Sequence, residues 1–194
     1  GENWHDLLNA LVWLTFPRAK AALNRRHYAA LRAQQAAGAL NRGPQQDALT
    51  LFDEGGVIVM CADVSLSDLL RGHEWKTLFW QRRADLAGAI NFFVFGHALF
   101  EKAMAPFAGV TGRGVIFDCA PDFFRRSPAE QVAEIDGRLA ALLDSDDRFR
   151  QTAELAAVPI LGVPGWCAEN ASASYYDNTD YFRPLPVRKR RRQP

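Results

Sequence analysis

Three polar side chains interrupt the apolar segment near the start of this sequence. His5 and Asp6 precede Asn9 by four and three residues, so all three share one face of an α-helix. An imidazole, a carboxylate and an amide on one face could bind a metal ion, a phosphate or a carboxylate. The structural alternative is that Asp6 caps its helix while His5 and Asn9 bond to nearby loops.

A second polar row follows in the next segment. Lys20, Asn24 and His27 recur at i, i+4 and i+7, which also places them on one helical face. If the two segments form a helical hairpin around Phe16-Pro17, the two rows converge in one pocket. Otherwise Lys20 is a surface residue and no shared pocket forms.

Together the two rows suggest a metal-dependent hydrolase of phosphodiesters, as in a nuclease. In this hypothesis His5, Asp6 and His27 bind a divalent ion that polarises a phosphoryl oxygen or activates water. Asn9 belongs to the same polar centre, and Lys20 offsets negative charge on the substrate. A divalent metal cofactor is expected only under this hypothesis.

His97 and Glu101 form a separate candidate pair, spaced i, i+4 at the start of a predicted helix. His97 could act as a base oriented by Glu101, or the two could be half of a metal site. As an ordinary surface pair on a helix they would contribute only about 0.2–0.5 kcal/mol.

Several common classes of enzyme are disfavoured. The sequence has no G-x-S-x-G elbow, no G-x-G-x-x-G and no phosphate-binding loop, unlike serine hydrolases, Rossmann enzymes and P-loop NTPases. Cys61, Cys119 and Cys167 are far apart, which disfavours a thiolate zinc site and is typical of a reducing compartment such as the cytoplasm. No apolar run reaches the roughly 18 residues of a membrane span, so no membrane partner is expected.

The surrounding elements predict one α+β domain over residues 1–187, with a helical hairpin packed on a small mixed β-sheet. The first helix, Trp4–Thr15, is apolar nearly all round and is expected to be buried on most sides. Ala48–Phe52 and Val57–Cys61 are predicted to form a β-hairpin, with Asp53 in its turn. Periodicity and capping signals predict further helices at 17–37, 65–71, 74–84, 97–105, 128–144 and 148–157, strands at 90–95, 114–117 and 159–163, and a packed aromatic wrap from 164 onward.

The net charge of +1 conceals a basic tail at residues 188–194. Without Arg188–Arg192 the chain has more acidic than basic residues, so nucleic acid is expected to be contacted only through this tail, if at all. The alternative is that the tail is a solvated, flexible terminus.

Six stretches carry a resemblance to a known family: Asn3–Asp6, Ala10–Lys20 with Leu23-Asn24, Asp47–Glu54, Phe95–Lys102, Leu161–Trp166 and Phe182–Pro184. In these the chain resembles the bacterial family called domain of unknown function 3025. The resemblance implies an intracellular bacterial protein, and it implies a native N-terminal piece before the Trp4 motif. It assigns no activity and no catalytic residue.

Two functions therefore remain open. The first is a binding or scaffold module whose aromatic-rich surface meets a protein or a small ligand. The second is the metal-dependent hydrolase described above. A hydrolase should bring His5 and His27 within reach of one ligand in a concave pocket. A binding module should instead expose an apolar patch.

Overall fold

The computed structural model describes residues 4–107, 109–145 and 147–185, and it confirms the predicted α+β class. The α-helices are α1 (Trp4–Thr15), α2 (Pro17–Ala36), α3 (Pro44–Gly55), α4 (Val64–Arg71), α5 (Arg83–Leu86), α6 (His97–Met104) and α7 (Pro128–Asp144). The strands are β1 (Gly56–Cys61), β2 (Ile90–Val94), β3 (Thr111–Asp118) and β4 (Ala156–Pro159). A π-helical turn, Thr77–Gln81, precedes α5.

The four strands form one mixed sheet in the order β2-β1-β3-β4. β1 pairs antiparallel with β2 and parallel with β3, and β3 pairs antiparallel with β4. Every residue of β1 is buried, which explains why this strand is a continuous apolar run rather than an alternating one. Val57 and Val59 belong to the core on one side of the sheet, and Ile58 and Met60 belong to the core on the other.

Helices cover the Ile58 side of the sheet, and the start of α7 is capped as the sequence predicts. Ser127 accepts a hydrogen bond from the Glu130 N–H, and the Glu130 carboxylate accepts one from the Ser127 N–H, which forms a capping box at the start of α7. α7 in turn supplies the buried Asp136, whose carboxylate accepts hydrogen bonds from the N–H groups of Arg18 and Ala19. These N–H groups are the first of α2, so α7 fixes where α2 begins.

The segment from 164 onward packs on the body, as predicted. Tyr176, Tyr181 and Phe182 are buried in the core on the Val57 side. The Tyr181 hydroxyl donates to the Val110 carbonyl at 2.7 Å, and the Tyr176 hydroxyl donates to the Gly162 carbonyl at 2.9 Å. The predicted basic tail at 188–194 lies outside the described residues.

Three predictions of secondary structure are wrong. Ala48–Phe52 is not a strand but part of α3, because Ala48, Leu49 and Phe52 are buried together on one helical face. The predicted helix at 148–157 is a short 3₁₀ turn that leads into β4, whose ladder with β3 overrides local propensity. The predicted strand at 159–163 is mostly a second 3₁₀ turn, Ile160–Gly162.

The predicted burial of α1 is also wrong. Val12 is its buried residue, while Trp4, Leu7, Leu11 and Leu14 are 47%, 51%, 48% and 79% exposed. These four residues are spaced at offsets of three, four and three, so they form one exposed apolar stripe along the helix. In the described part of the chain, no helix is both long and apolar enough to cross a bilayer.

Candidate functional site

Side chains from four helices meet in one polar cluster. α1 contributes His5, α2 contributes Lys20, α3 contributes Asp53, and α6 contributes His97 and Glu101. Sequence separation between the interacting pairs ranges from 33 to 96 residues, so only the tertiary fold brings these groups together. We call these five residues the polar cluster.

The two imidazoles of the polar cluster are in direct contact. His97 Nε2 lies 3.1 Å from His5 Nε2, and the two rings stand edge to face at 84°. Nδ1 of His5 lies 3.3 Å from Glu101 Oε2. His97 is only 5% exposed, whereas the side chains of His5 and Glu101 are about half exposed. The cluster is therefore open to solvent at His5 and closed behind His97.

Gly96 allows His97 to sit this deep in the fold. A Cβ at Gly96 would lie 2.4 Å from the Glu54 carbonyl oxygen and 2.4 Å from the Gly56 nitrogen, and both of these are backbone atoms. The Gly96 N–H donates to the Gly56 carbonyl at 2.9 Å, which holds the start of α6 against the end of α3. This close approach requires glycine.

Lys20 is a buried cation in contact with an anion. Its side chain is 4% exposed, and its Nζ donates to Oδ1 of Asp53, whose side chain is 26% exposed. Nζ also lies 5.7 Å from the Trp13 ring centroid and 5.8 Å from that of Phe95, within the range of cation–π attraction. Lys20 is therefore not a surface residue, and its charge is already compensated by Asp53.

Burial lowers the pKa of His97 from its ordinary value, because desolvation disfavours the imidazolium. Asp53 opposes this effect through its carboxylate and its backbone carbonyl, and the positive charges of His5 and Lys20 add to the lowering of the pKa. Nδ1 of His97 is buried, and in the described part of the chain no group reaches hydrogen-bond geometry with it. His97 is thus a neutral imidazole at pH 7.

The structure brings together only part of the predicted metal set. His5 meets His97 rather than His27, and within the described ranges no three His, Cys, Asp or Glu side chains form a group able to hold a metal ion. His27 interacts with Asp53 and Lys20, and burial lowers its pKa. Among the described residues, Asp6 and His27 therefore do not join His5 in one metal site.

Two of the remaining predicted residues have different environments. Asn24 is exposed on α2. Asn9 Oδ1 is buried without a hydrogen-bond partner among the described residues, one helical turn after His5.

Asp53 is the member of the polar cluster that the sequence did not reveal. The glycines after it suggested a turn, although Gly55 ends α3 and Gly56 begins β1. A helical reading of residues 44–55 would have placed Asp53 beside the buried face formed by Leu49 and Phe52. That signal is weak, because charged residues next to an apolar face are common on helices.

A second feature, an apolar groove, lies between α1, α6 and the sheet. Its main cavity has a volume of about 410 Å³. Its wall includes Leu8, Leu11, Val12, Phe92, Phe100 and Trp166. A neighbouring cavity of about 200 Å³ shares Phe100 and Trp166 with it, so the two cavities are adjacent on the protein surface.

Comparison with known protein families gives a match over most of the chain. Residues 1–186 match the model of a family described as a protein of unknown function (DUF3025). No curated protein and no solved structure matches the chain.

Proposed function

We propose that this chain, which belongs to the DUF3025 family of proteins of unknown function, is a bacterial cytoplasmic binding module for a protein partner. The partner presents the apolar face of a helix, which enters the apolar groove beside α1. The observation that carries the proposal is the exposed stripe of α1, whose residue Leu11 also forms part of the groove wall.

The chemistry of the groove favours an apolar occupant. Thr15 is the hydroxyl side chain in the wall of the main cavity, and its Oγ1 already donates to the Leu11 carbonyl at 2.8 Å. A polar ligand would lose its hydration there without gaining hydrogen bonds, which is unfavourable. A volume of about 410 Å³ is within the range of ligand-binding cavities, and apolar helices dock in grooves of this kind.

The stripe extends the apolar surface beyond the cavity and favours a protein over a small molecule. Trp4, Leu7 and Leu14 do not line the cavity, yet each is at least 47% exposed. A small ligand in the cavity would leave them in water. A partner helix lying along α1 would cover them together with Leu11, as in other helix–helix interfaces.

The test uses a fluorescein-labelled amphipathic Leu/Lys peptide and its Leu→Ser counterpart, titrated with the purified chain and followed by fluorescence anisotropy. The Leu peptide should bind saturably and the Ser peptide should not. Leu11→Glu should weaken binding at least tenfold. Leu40→Glu, which places the same charge at a site that is 97% exposed and outside the groove, should leave binding unchanged.

Equal binding by the Leu11→Glu and wild-type chains would refute the proposal. Light scattering after size-exclusion chromatography provides a second check. A stable dimer that Leu11→Glu dissociates would mean that the groove receives a second copy of the chain, and the proposed foreign partner would be wrong.

The second candidate function is a metal-dependent hydrolase, and the contact between His5 and His97 favours it. A pair of imidazoles that is open to solvent can bind an ion or a water molecule. The ion pair of Lys20 with Asp53 argues against this candidate, because Lys20 is then not available to bind a substrate phosphate. Hydrolysis of bis(p-nitrophenyl) phosphate with added Zn²⁺ or Mn²⁺, lost in His5→Gln, would support this candidate, and no turnover above metal alone would exclude this reaction.

A further inference from the structure

We propose that His5 and His97 bind one divalent transition-metal ion between their Nε2 atoms. The inference is independent of the proposed docking function, because neither His5 nor His97 lines the apolar groove. It also replaces the set expected from the sequence: His97 takes the place of Asp6 and His27 as the companion of His5.

The distance between the two Nε2 atoms is the one expected when both bind the same metal ion. Imidazole nitrogens bind Zn²⁺ at about 2.0–2.1 Å, so two of them at angles between 90° and the tetrahedral value lie about 2.9–3.4 Å apart. The observed distance between His5 Nε2 and His97 Nε2 is 3.1 Å. An ion can enter between them with small rotations of the half-exposed His5 ring.

The outer nitrogen of the His5 ring faces an acceptor. The Glu101 carboxylate is only an acceptor when ionised, so it fixes a proton on Nδ1 of His5 and leaves the lone pair on Nε2. Nδ1 of His97 has no hydrogen-bond partner among the described residues, so nothing there fixes the tautomer of this ring. Metal-binding histidines in proteins typically have an outer hydrogen bond of the kind that His5 makes to Glu101.

With its proton on Nε2, His97 donates a hydrogen bond to the lone pair of His5 Nε2. With its proton on Nδ1 instead, His97 offers a second lone pair, and the two Nε2 atoms can then bind one metal ion. His5 opens the site to solvent, since half of its side chain is exposed, so an ion has a path of entry. Asn9 Oδ1, buried and unpartnered one turn further along α1, is an acceptor of the kind that a metal-bound water needs.

The donor set indicates the class of ion. Two imidazoles without thiolates suit Zn²⁺, Ni²⁺ or Cu²⁺, whereas Mg²⁺ and Ca²⁺ prefer oxygen ligands. Because the described residues offer no third His, Cys, Asp or Glu ligand here, water completes the coordination. We therefore expect weaker binding than in a four-ligand structural zinc site.

The experiment is a calorimetric titration of the chain, freed of metal by EDTA and dialysed, with ZnSO₄ and separately with CuSO₄. One equivalent should bind, and the electron paramagnetic resonance spectrum of the Cu²⁺ form should show coupling to two nitrogens. His5→Gln and His97→Gln should each lower the affinity at least tenfold. Glu101→Gln should lower it by about tenfold as well, because it orients His5.

His73→Asn is the matched control, since His73 lies elsewhere, with its Nδ1 bonded to the Arg183 carbonyl. It should bind metal as the wild type does. If His97→Gln does not fold, His5→Gln still decides, because His5 is half exposed and contributes little to the core. Absence of stoichiometric binding, or wild-type affinity in a folded His5→Gln, would overturn the proposal and leave a proton-sharing histidine pair.

Discussion

The buried ion pair in the polar cluster predicts that two substitutions at one contact have very different costs. Asp53→Ala leaves the ammonium of Lys20, 4% exposed, without a counter-ion. Removing one partner of a buried pair typically costs about 3–5 kcal/mol. Asp53 lies near the end of α3, where a carboxylate opposes the helix dipole, so its removal returns about 0.3–1 kcal/mol. We expect a net loss of about 2–5 kcal/mol.

The reverse change should cost much less. Lys20→Met leaves Asp53, whose side chain is 26% exposed and can still be hydrated. The methionine side chain fills the space next to Trp13 and Phe95, which favours sulfur–aromatic contact in place of cation–π attraction. We expect a loss of no more than about 1 kcal/mol.

Urea denaturation of the two single variants and of the double variant, followed by circular dichroism, measures this asymmetry. The double variant should be close in stability to Lys20→Met, because no unpaired charge remains in it. If Asp53→Ala is as stable as Lys20→Met, the ammonium of Lys20 is not effectively desolvated, and the predicted difference in cost between the two substitutions is wrong.

Three further predictions concern the surroundings of the polar cluster. Gly96→Ala should lower the free energy of unfolding by about 1–3 kcal/mol or more in urea melts, because its Cβ meets immovable backbone, whereas Gly43→Ala, with nothing within 4 Å, should cost under about 1 kcal/mol. Asp136→Ala should cost about 2–3 kcal/mol by the same assay, since it leaves the Ala19 N–H, bonded at 2.8 Å, unpaired. The pKa of His27 is lowered in the fold, so the unfolded state binds more protons and the free energy of unfolding falls as the pH drops below the ordinary value of 6.5. His27→Gln should reduce this fall, measured between urea melts at about pH 7.5 and about pH 5.5. The same fall in the variant as in the wild type would contradict a lowered pKa for His27.

Local signals in the sequence were sufficient for some elements and not for others. α7 was predicted with its observed bounds because Ser127, Pro128 and Glu130 specify its start within four residues. Residues 48–52 carry no such signal, and their apolar run is compatible with a strand or with a buried helix. The Gly55-Gly56 pair favoured the prediction of a hairpin turn. In the structure Gly55 ends α3 and Gly56 begins β1.

The candidate site shows the same limit at the level of side chains. Helical spacing correctly grouped His97 with Glu101 on α6, and His5 with Asn9 on α1. It could not show that α1 packs against α6. That contact depends on the close approach of the backbone at Gly96 and on the burial of Phe16 in the core. The contact of His5 with His97 instead of His27 therefore depends on the tertiary structure, and no local sequence pattern predicts it.

Helix α1 connects the two surfaces on which the proposed functions depend. Its 12 residues are too few for a stable isolated helix, and it buries Val12 as its one core residue in the described structure. Its position must come from its neighbours: from Phe16 behind it, and from the contact of His5 with α6. Replacing the exposed stripe by polar residues should cost the folded chain less than a core substitution, because about half or more of each of these side chains is already exposed. An apolar stripe that the described residues leave about half exposed is what the proposed docking of a partner helix requires.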